Sequence, residues 1–385
     1  MDNNKVKQQG RRMNYKKCVA GVIRVGIICF SGLAFAGQVG TTTGSFEVTA
    51  GGQSAYTMGV EVPPGIMGVV PQVAITYSSG GGNGLLGLGA NLSGLSAITR
   101  CGKTFEQDGL SKAVQFDNSD FFCLNGQRLI LMSGSYGASG ATYQTELESF
   151  QRVTSRGSAT GGGPTHFEVL GKGGSRLVFG QALSGLSLER SIDPITGAVA
   201  SWGISYLEDK HGNRVIYEYE DAGRTVNGET ANQVLPKRIT YGHNTTANVE
   251  GKLAVEFVYE PRIDISTGYG RGQKFISDVR LSNIQTFVDT DMVKDYRVSY
   301  ALSPVSNRSR ITQITECSGE DNCLLPIDFT WTDYSADWEQ GTDLPTAALT
   351  SDGKMRGVAV DVNNDGHTDW VTAVKDASGN LTLQT

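Results

Sequence analysis

The sequence predicts an all-β fold built from many hairpins. Fifty glycines stand against ten prolines in 385 residues, and only 19% of the residues are charged. Short runs of alternating apolar and polar residues are separated by glycine-rich turns, which is typical of strands. No segment shows the longer periodicity of an amphipathic helix. A chain of this length can form one large all-β domain with an appendage, or two to three ordinary domains.

Residues 1–36 have the features of a signal peptide for secretion. Lys16 and Lys17 precede the apolar run CVAGVIRVGIICFSGLAFA, and this run ends in the small-x-small pattern of a cleavage site before Gly37. Arg24 interrupts the run, so its uninterrupted part is too short for a permanent membrane span. We therefore expect no permanent membrane span, and we expect the protein to be secreted after removal of the signal peptide.

The predicted mature chain is acidic. Of 33 basic and 39 acidic residues, seven basic and one acidic lie in residues 1–36, which leaves 26 basic and 38 acidic residues and a net charge of −12. Nucleic-acid binding requires the opposite balance, because basic residues must replace the counterions of the phosphates. We therefore expect no nucleic-acid partner. The acidity is better suited to binding divalent cations.

Hairpins recur along the chain from about residue 44 to about residue 334. The stretch SFEVTAGGQSAYTMGVEVPPG alternates apolar and polar residues on each side of a glycine turn. In YLEDKHGNRVIYEYE, the side chains of Val215, Tyr217 and Tyr219 fall on one strand face. Asn125-Gly126 is a typical two-residue hairpin turn. These patterns predict a multi-hairpin β-rich domain.

The glycine-rich stretch GGGNGLLGLG suggests a phosphate-binding loop, because backbone amides of such loops can bind anions. No Lys-Ser or Lys-Thr follows it, however, and no helix start is visible. Its leucines are also expected to be buried. We therefore interpret the stretch as a structural turn and bulge.

Four cysteines remain after removal of the signal peptide: Cys101, Cys123, Cys317 and Cys323. An even number in an exported chain favours disulfides, and four cysteines allow three connectivities. Pairing of neighbours would close two short loops, each contributing about 2–4 kcal/mol. A zinc site is the alternative, but no pair has a two-residue spacing and no histidine lies nearby.

The stretch DVNNDGHTD near the C-terminus has the spacing of a calcium loop, with oxygen ligands at alternating positions and Gly366 at the sharp turn. It is not an EF-hand, because Thr372 occupies the twelfth position and the flanks alternate like strands. The alternative is an Asp/Asn turn without metal. The predicted ligands of a structural Ca²⁺ are the side chains of Asp361, Asn363, Asp365 and Asp369 and the backbone carbonyl of His367.

This loop with its valine flanks, GVAVDVNNDGHTDWVTAV, resembles an FG-GAP or VCBS repeat of integrin-like β-propellers. The resemblance implies that residues 341–385 form the first, partial blade of a propeller. One blade cannot bury its own apolar face, so further blades are expected from the same or a partner chain. The composition changes after DWEQGTDLP, which places the domain boundary between residues 335 and 350.

A wider resemblance runs from about residue 44 to the end. GSFEVTAGGQSAYTMGVEVPPG, FCLNGQRLIL, YQTELESF, HGNRVIYEY and LPIDFTW follow one another in the order found in the SpvB/TcdB-type region. That region occurs in the virulence plasmid B protein, in B components of insecticidal toxin complexes and in Rhs-like secreted proteins. The resemblance implies that residues 37–340 form an SpvB-like β-rich domain.

The resemblance also implies a function. We expect the non-catalytic N-terminal part of a secreted toxin-complex B or Rhs-like component, which contributes to a shell that packages and delivers a toxic C-terminal segment. Its partners would be the remaining blades, the Rhs-repeat shell, and the A and C components of a toxin complex. The alternative is a secreted, adhesin-like β-module that binds protein or glycan.

Catalytic patterns are weak. The virulence plasmid protein carries an ADP-ribosyltransferase domain, whose pattern requires an Arg, then a Ser-Thr-Ser strand, then Glu-x-Glu. Here Glu146-Leu147-Glu148 precedes the similar STG at 266–268, so the order is wrong, and we expect both glutamates on a solvated strand face. No G-x-S-x-G sequence is present. The histidines are scattered: His166 at the start of a strand, His211 and His243 in glycine turns, and His367 in the metal loop.

Calcium binding can be tested by thermal unfolding. We expect added Ca²⁺ to raise the melting temperature of the purified chain, because the ion neutralises carboxylates that otherwise repel each other. Asp365→Ala should remove the increase. An unchanged melting temperature of the wild-type chain, with its C-terminal segment intact, would leave the metal-free turn as the correct interpretation.

Overall fold

The computed structural model describes residues 40–181, 183, 190–192, 197–220, 225–231, 233–270 and 273–332, and three strands at 358–360, 369–375 and 381–384. Within these residues the chain is almost entirely β, which confirms the predicted fold class. By its contacts the chain divides into two compact units after Trp331. The assignment of the second unit to a propeller blade stays a prediction.

The helical content of the described residues is limited to one 3₁₀ turn (Ile66–Gly68) and one short helix, α1 (Phe105–Asp108). The strands of the first unit, in chain order, are β1 (Ser45–Val48), β2 (Ser54–Gly59), β3 (Ala74–Ser78), β4 (Asn83–Gly84), β5 (Gly87–Leu88), β6 (Ala90–Ser93), β7 (Ala97–Cys101), β8 (Phe121–Leu124), β9 (Gln127–Ser133), β10 (Thr142–Thr145), β11 (Arg152–Arg156), β12 (His166–Leu170), β13 (Arg176–Phe179), β14 (Arg190–Ile192), β15 (Val199–Glu208), β16 (Asn213–Glu220), β17 (Thr225–Val226), β18 (Glu229–Thr230), β19 (Leu235–Asn244), β20 (Leu253–Gly270), β21 (Gln273–Val288), β22 (Asp291–Leu302), β23 (Ser309–Ser318) and β24 (Ile327–Asp328). The second unit contains β25 (Val358–Val360), β26 (Asp369–Lys375) and β27 (Leu381–Gln384), which form an antiparallel sheet in that order.

Eight antiparallel strands of the first unit close into a ring. Strands β7 to β13 follow one another in order, and β15 closes the ring by pairing with both β7 and β13. The start of β15 lies between β7 and β14, whereas its end lies between β13 and β16. β15 therefore belongs both to the closed ring and to the open sheet that continues from β16.

Aromatic side chains fill the ring. The indole of Trp202 is fully buried and meets Phe122 and Phe167 edge to face, with ring centroids 5.5 and 4.9 Å away. Its Nε1 donates to the carbonyl of Pro164 at 3.2 Å, so the buried polar atom is satisfied. Position 180 must be glycine, because a Cβ there would lie 2.3 Å from Cδ1 of Trp202 and φ is +74°.

The open sheet runs from β16 through β19, β20, β21, β22 and β23 to β24, with antiparallel neighbours throughout. Val215, Tyr217 and Tyr219 alternate into its buried side, as the sequence predicts. β20 and β21 form a hairpin longer than its neighbours: β19 pairs with β20 only up to Glu256, and β22 pairs with β21 only from Asn283 onward. The far half of this hairpin extends beyond the sheet.

A four-stranded sheet, β1-β2-β3-β6, packs on the open sheet. Tyr56 of β2 meets Phe329 and Tyr77 of β3 meets Trp331, both edge to face, at centroid distances of 5.8 and 5.7 Å. Tyr241 of β19 donates to the carbonyl of Pro63 at 2.8 Å. These contacts join segments of the chain that are far apart in sequence into one core.

Two predicted turns have the expected geometry. Asn125 and Gly126 both have positive φ, 48° and 85°, and connect β8 to β9. The stretch GGGNGLLGLG forms the small hairpin of β4 and β5, and Leu86 between them is fully buried. The stretch is therefore a hairpin turn, and the buried side chain of Leu86 attaches it to the core.

We expect Trp202→Ala to lower the free energy of unfolding by about 3–5 kcal/mol, because it leaves a cavity inside the ring. Chemical denaturation followed by circular dichroism measures the loss. Tyr269→Ala is the matched control, since this aromatic side chain is 78% exposed, and its effect should stay within about 0.5 kcal/mol. Equal losses for the two variants would contradict a packed ring interior.

Candidate functional site

The predicted calcium loop, residues 361–368, lies outside the described residues, and with it Asp361, Asn363, Asp365 and His367. Asp369 is the first residue of β26, where its backbone pairs with Val360 of β25. Elsewhere, in the part of the chain that the structure describes, no group of three His, Cys, Asp or Glu residues is arranged to hold a metal ion. The calcium site stays a prediction.

The structure joins Cys101 to Cys123 and Cys317 to Cys323. The first disulfide connects β7 to β8 within the ring, with Cα atoms 6.0 Å apart. The second closes the turn that follows β23 and spans six residues of sequence. Each cysteine is thus joined to its neighbour in the sequence, which is one of the three connectivities that four cysteines allow.

The Glu-x-Glu pair, Glu146 and Glu148, follows the end of β10. β10 ends at Thr145, whose hydroxyl donates to the carbonyl of Leu147 at 2.6 Å, so both glutamates lie on an exposed loop and not on the predicted strand face. Glu146 accepts from the side chain of Gln107 at 2.5 Å, and Glu148 accepts from the amide of Phe150 at 2.6 Å. Glu146 therefore links this loop to α1, whereas Glu148 bonds within its own loop.

The described histidines lie on three separate elements: His166 begins β12, His211 lies in the turn before β16, and His243 lies in β19. The predicted turn at His243 is wrong, because this residue pairs with Arg214 as part of β19. Its Nδ1 accepts from the amide of Gly251 at 2.8 Å, so the proton sits on Nε2, which lies 3.0 Å from the hydroxyl of Thr240. Burial lowers the pKa of His243, so its ring is neutral and both nitrogens are occupied.

A cleft of about 540 Å³ lies beside the N-terminal strap, which we define as residues 40–43. Lys294 of β22 lies on its floor, where its ammonium contacts Glu61 and donates to Glu316 of β23 at 2.6 Å. Tyr296 lines the cleft, and its hydroxyl accepts from the amide of Glu61 at 3.0 Å. The strap and Leu324 form its outer wall.

The electrostatics of the cleft oppose catalysis by its lysine. Burial disfavours the charge of Lys294, but hydrogen bonds to Glu316 and Glu61 outweigh burial and raise the pKa of the ammonium above its ordinary value. Burial also raises the pKa of Tyr296. A lysine that stays protonated is neither a nucleophile nor a general base at neutral pH. The cleft therefore contains a protonated lysine between two carboxylates.

A second cleft, of about 440 Å³, lies beside the Cys101–Cys123 disulfide. Its charged lining residue, Arg100, is fully engaged. The guanidinium donates to Asp120 at 3.1 Å and to the carbonyls of Val199, Asp117 and Gly162 at 2.7, 2.9 and 3.2 Å. This arginine holds the ring together and is not available to a ligand.

A buried polar cluster anchors the projecting half of the β20–β21 hairpin. Arg262 donates to Asp264 at 2.8 and 3.1 Å, to Ser277 at 2.9 Å and to the carbonyl of Gly84 at 3.1 Å. The side chains of Arg262 and Asp264 are 0% and 7% exposed. Burial opposes ionisation of Asp264, but hydrogen bonds from Arg262, Ser309 and Asn83 outweigh it and hold its pKa well below the usual range.

The same hairpin exposes apolar side chains. The register between β20 and β21 shifts between Pro261 and Ser266, and in this bulge Arg262 and Asp264 turn inward while Ile263 and Ile265 turn outward. Ile263, Ile265 and Tyr269 are 78%, 50% and 78% exposed. This apolar surface contrasts with the polar cleft at the strap.

Comparison with known families assigns the chain. The family model of the Salmonella virulence plasmid 65kDa B protein, SpvB, matches residues 48–256, which is more than half of the sequence. The chain belongs to the SpvB family. This confirms the resemblance to the SpvB/TcdB-type region, while the propeller repeat is outside the match. No curated protein matches the chain.

Solved structures share the fold of this SpvB-family chain. The crystal structure of TcdB2-TccC3 is similar with a TM-score of 0.66 at 16% identity, over 91% of this chain and 19% of that one. The N-terminal domain of effector protein SpvB from Salmonella typhimurium strain LT2 gives 0.54 at 18%, over 68% of this chain and 98% of that one. The Tc holotoxin pore of Photorhabdus luminescens gives 0.64 at 16%, over 90% and 19%. The chain thus spans about a fifth of the Tc chains that it matches.

The strap cleft and the polar cluster were both missed by reasoning from the sequence. Glu61 and Lys294 are separated by 233 residues, and Asn83 and Arg262 by 179. No local motif connects such partners. One signal was available for the cluster: Arg262 and Asp264 alternate with Ile263 and Ile265 in a predicted β-rich region, so one pair had to face the interior.

We expect Asp264→Asn to destabilise the protein by about 3–5 kcal/mol at pH 7, because Arg262 is left buried without its counter-charge. The loss should shrink as pH falls. The depressed pKa of Asp264 stabilises the folded state above the pKa of an unfolded aspartate, about 3.9, and this contribution is lost from the wild type below that pH. Chemical denaturation at several pH values measures both effects.

The control for this experiment is Asp321→Asn, which removes the 76% exposed partner of Arg297. An exposed ion pair contributes up to about 1 kcal/mol. If the two variants lost the same stability at pH 7, the buried cluster would not anchor the hairpin.

Proposed function

We propose that the chain is the non-catalytic N-terminal part of a secreted toxin-complex B or Rhs-like component, and that it contributes to a shell around a toxic C-terminal segment. The observation that carries the proposal is the combination of SpvB-family membership with the fold of TcdB2-TccC3 over 91% of the chain. The chain matches only 19% of that structure, so the shell would be completed by other segments or chains.

A scaffold role is supported by how the described polar groups are used. The ring interior is packed with aromatic side chains, which leaves no space for a substrate there. Arg100 and Arg262 are buried, and their guanidinium groups form hydrogen bonds within the fold. Lys294 is held as a protonated ion-pair partner. The absence of catalysis is therefore part of the proposal.

An assembly role is supported by the exposed apolar side chains of the β20–β21 hairpin. Ile263, Ile265 and Tyr269 are costly to expose on a free monomer, and contact with a neighbouring protein surface would bury them. The proposed partners are the remaining blades, the Rhs-type shell, and A and C components of a toxin complex. The adhesin-like alternative would use the same surface for a host protein or glycan.

Secretion and calcium binding are also parts of this proposal. Within the described part of the chain, none of the helices has the length and apolar character needed to span a bilayer. Removal of residues 1–36 and a structural Ca²⁺ at residues 361–369 would give a secreted β-protein whose C-terminal blade is held together by the ion.

The proposal predicts that the native protein occurs in a large particle. Antibodies raised against the purified chain are used to probe size-exclusion fractions of the producing bacterium and of its culture medium. We expect the epitope to elute far ahead of the isolated 41.1 kDa chain, which is the control, and the associated toxic segment to resist added protease until the particle is opened.

Elution of the native epitope together with the isolated chain would overturn the shell proposal. If that free chain also bound host cells, and Ile263→Ser/Tyr269→Ser weakened the binding, the adhesin-like alternative would be the correct function.

A further inference from the structure

The Cys317–Cys323 disulfide holds a short segment of chain in place beside β23. Ser318 donates to the carbonyl of Asn322 and Leu324 donates to that of Glu316, both at 2.8 Å, so residues 322–324 run back along the end of β23. Cys317 and Cys323 face each other across this pairing as an antiparallel bridge. The disulfide locks the return segment in this register.

The N-terminal strap is attached to this return segment. Thr41 forms a parallel bridge with Leu325, and the amide of Leu325 donates to the carbonyl of Gly40 at 3.3 Å. Thr41, Thr42 and Thr43 line the cleft above Glu61, Lys294 and Glu316. The strap therefore keeps its position at the side of the cleft only while residues 323–325 keep theirs.

The strap itself is weakly held. The hydroxyl oxygen of Thr42 is buried without a hydrogen-bond partner among the described residues, which costs free energy. The long backbone bond between Leu325 and Gly40 contributes little. Whether the strap keeps its position therefore depends on its attachment to residues 323–325, which the disulfide holds in place.

We propose that the Cys317–Cys323 disulfide is a redox latch for the N-terminal strap. In the oxidised protein the latch keeps the strap beside the Glu61–Lys294–Glu316 cleft. Reduction by a low-molecular-weight thiol frees residues 323–325, releases the strap and removes one side of the cleft. The latch follows from the contacts of this chain alone and does not depend on the proposed function.

The redox step is a thiol–disulfide exchange. A thiolate attacks Sγ of Cys323, which lies on the more exposed side of the loop, and forms a mixed disulfide, while the buried Cys317 leaves as a thiolate and takes up a proton. A second thiol attacks the mixed disulfide, which returns Cys323 as a thiol and yields the oxidised small disulfide. Two electrons pass from the two small thiols to the protein.

Amide hydrogen exchange of the full chain, with and without dithiothreitol, tests the latch. We expect peptides covering residues 40–43 and 323–325 to exchange about tenfold faster or more after reduction, because a local opening replaces a closed state. Strands β21 and β22 should exchange at their original rates. Mass spectrometry confirms that Cys317 and Cys323 are reduced.

Two variants separate the latch from the other disulfide. Cys101→Ser/Cys123→Ser should keep the redox response of the strap, since this disulfide lies in the ring. Cys317→Ser/Cys323→Ser should show fast exchange of the strap in both conditions. If Cys317→Ser/Cys323→Ser does not fold, the redox response of the strap in the wild type and in Cys101→Ser/Cys123→Ser still tests the latch.

Unchanged exchange of residues 40–43 after complete reduction would overturn the proposal. Equal acceleration in β21, β22 and the strap would overturn it as well, because the disulfide would then stabilise the whole unit and not the strap.

Discussion

The fold depends on the ability of one strand, β15, to pair with other strands on both of its edges. Its first half lies between β7 and β14 and its second half between β13 and β16. The sequence VASWGISYLE meets this demand with side chains that can be buried on both faces. Any break in β15 would open the ring and detach the open sheet at the same time, which makes these two sheets one cooperative structure.

This constraint determines where function can reside. The ring closes around Trp202, Phe122 and Phe167, whose packing stabilises the fold. What remains is the periphery: the strap cleft at one edge of the open sheet, and the exposed hairpin at another. Both lie outside the packed ring interior and are accessible from the surface of the unit.

The sequence could predict the features that depend on neighbours along the chain. The alternation of Val215, Tyr217 and Tyr219 and the turn at Asn125-Gly126 follow from strand and turn geometry alone. The ring closure and the strap cleft could not be predicted, because pairing of β15 with β7 and contact of Lys294 with Glu61 join residues about 100 and 233 positions apart. Such pairings carry no local signal, and only the folded core selects them.

In the β20–β21 hairpin, the usual rule that apolar side chains are buried and charged ones exposed does not hold. Apolar side chains normally face inward and charges outward, yet here Arg262 and Asp264 are buried and Ile263 and Ile265 are exposed. Burying an ion pair costs desolvation, and exposing isoleucine loses the hydrophobic gain, so the isolated fold derives no benefit from either. This reversed arrangement of charged and apolar side chains is stable only because Asn83, Ser277 and Ser309 form hydrogen bonds with the buried charges. The exposed side chains therefore support the proposed role of the hairpin as a contact surface.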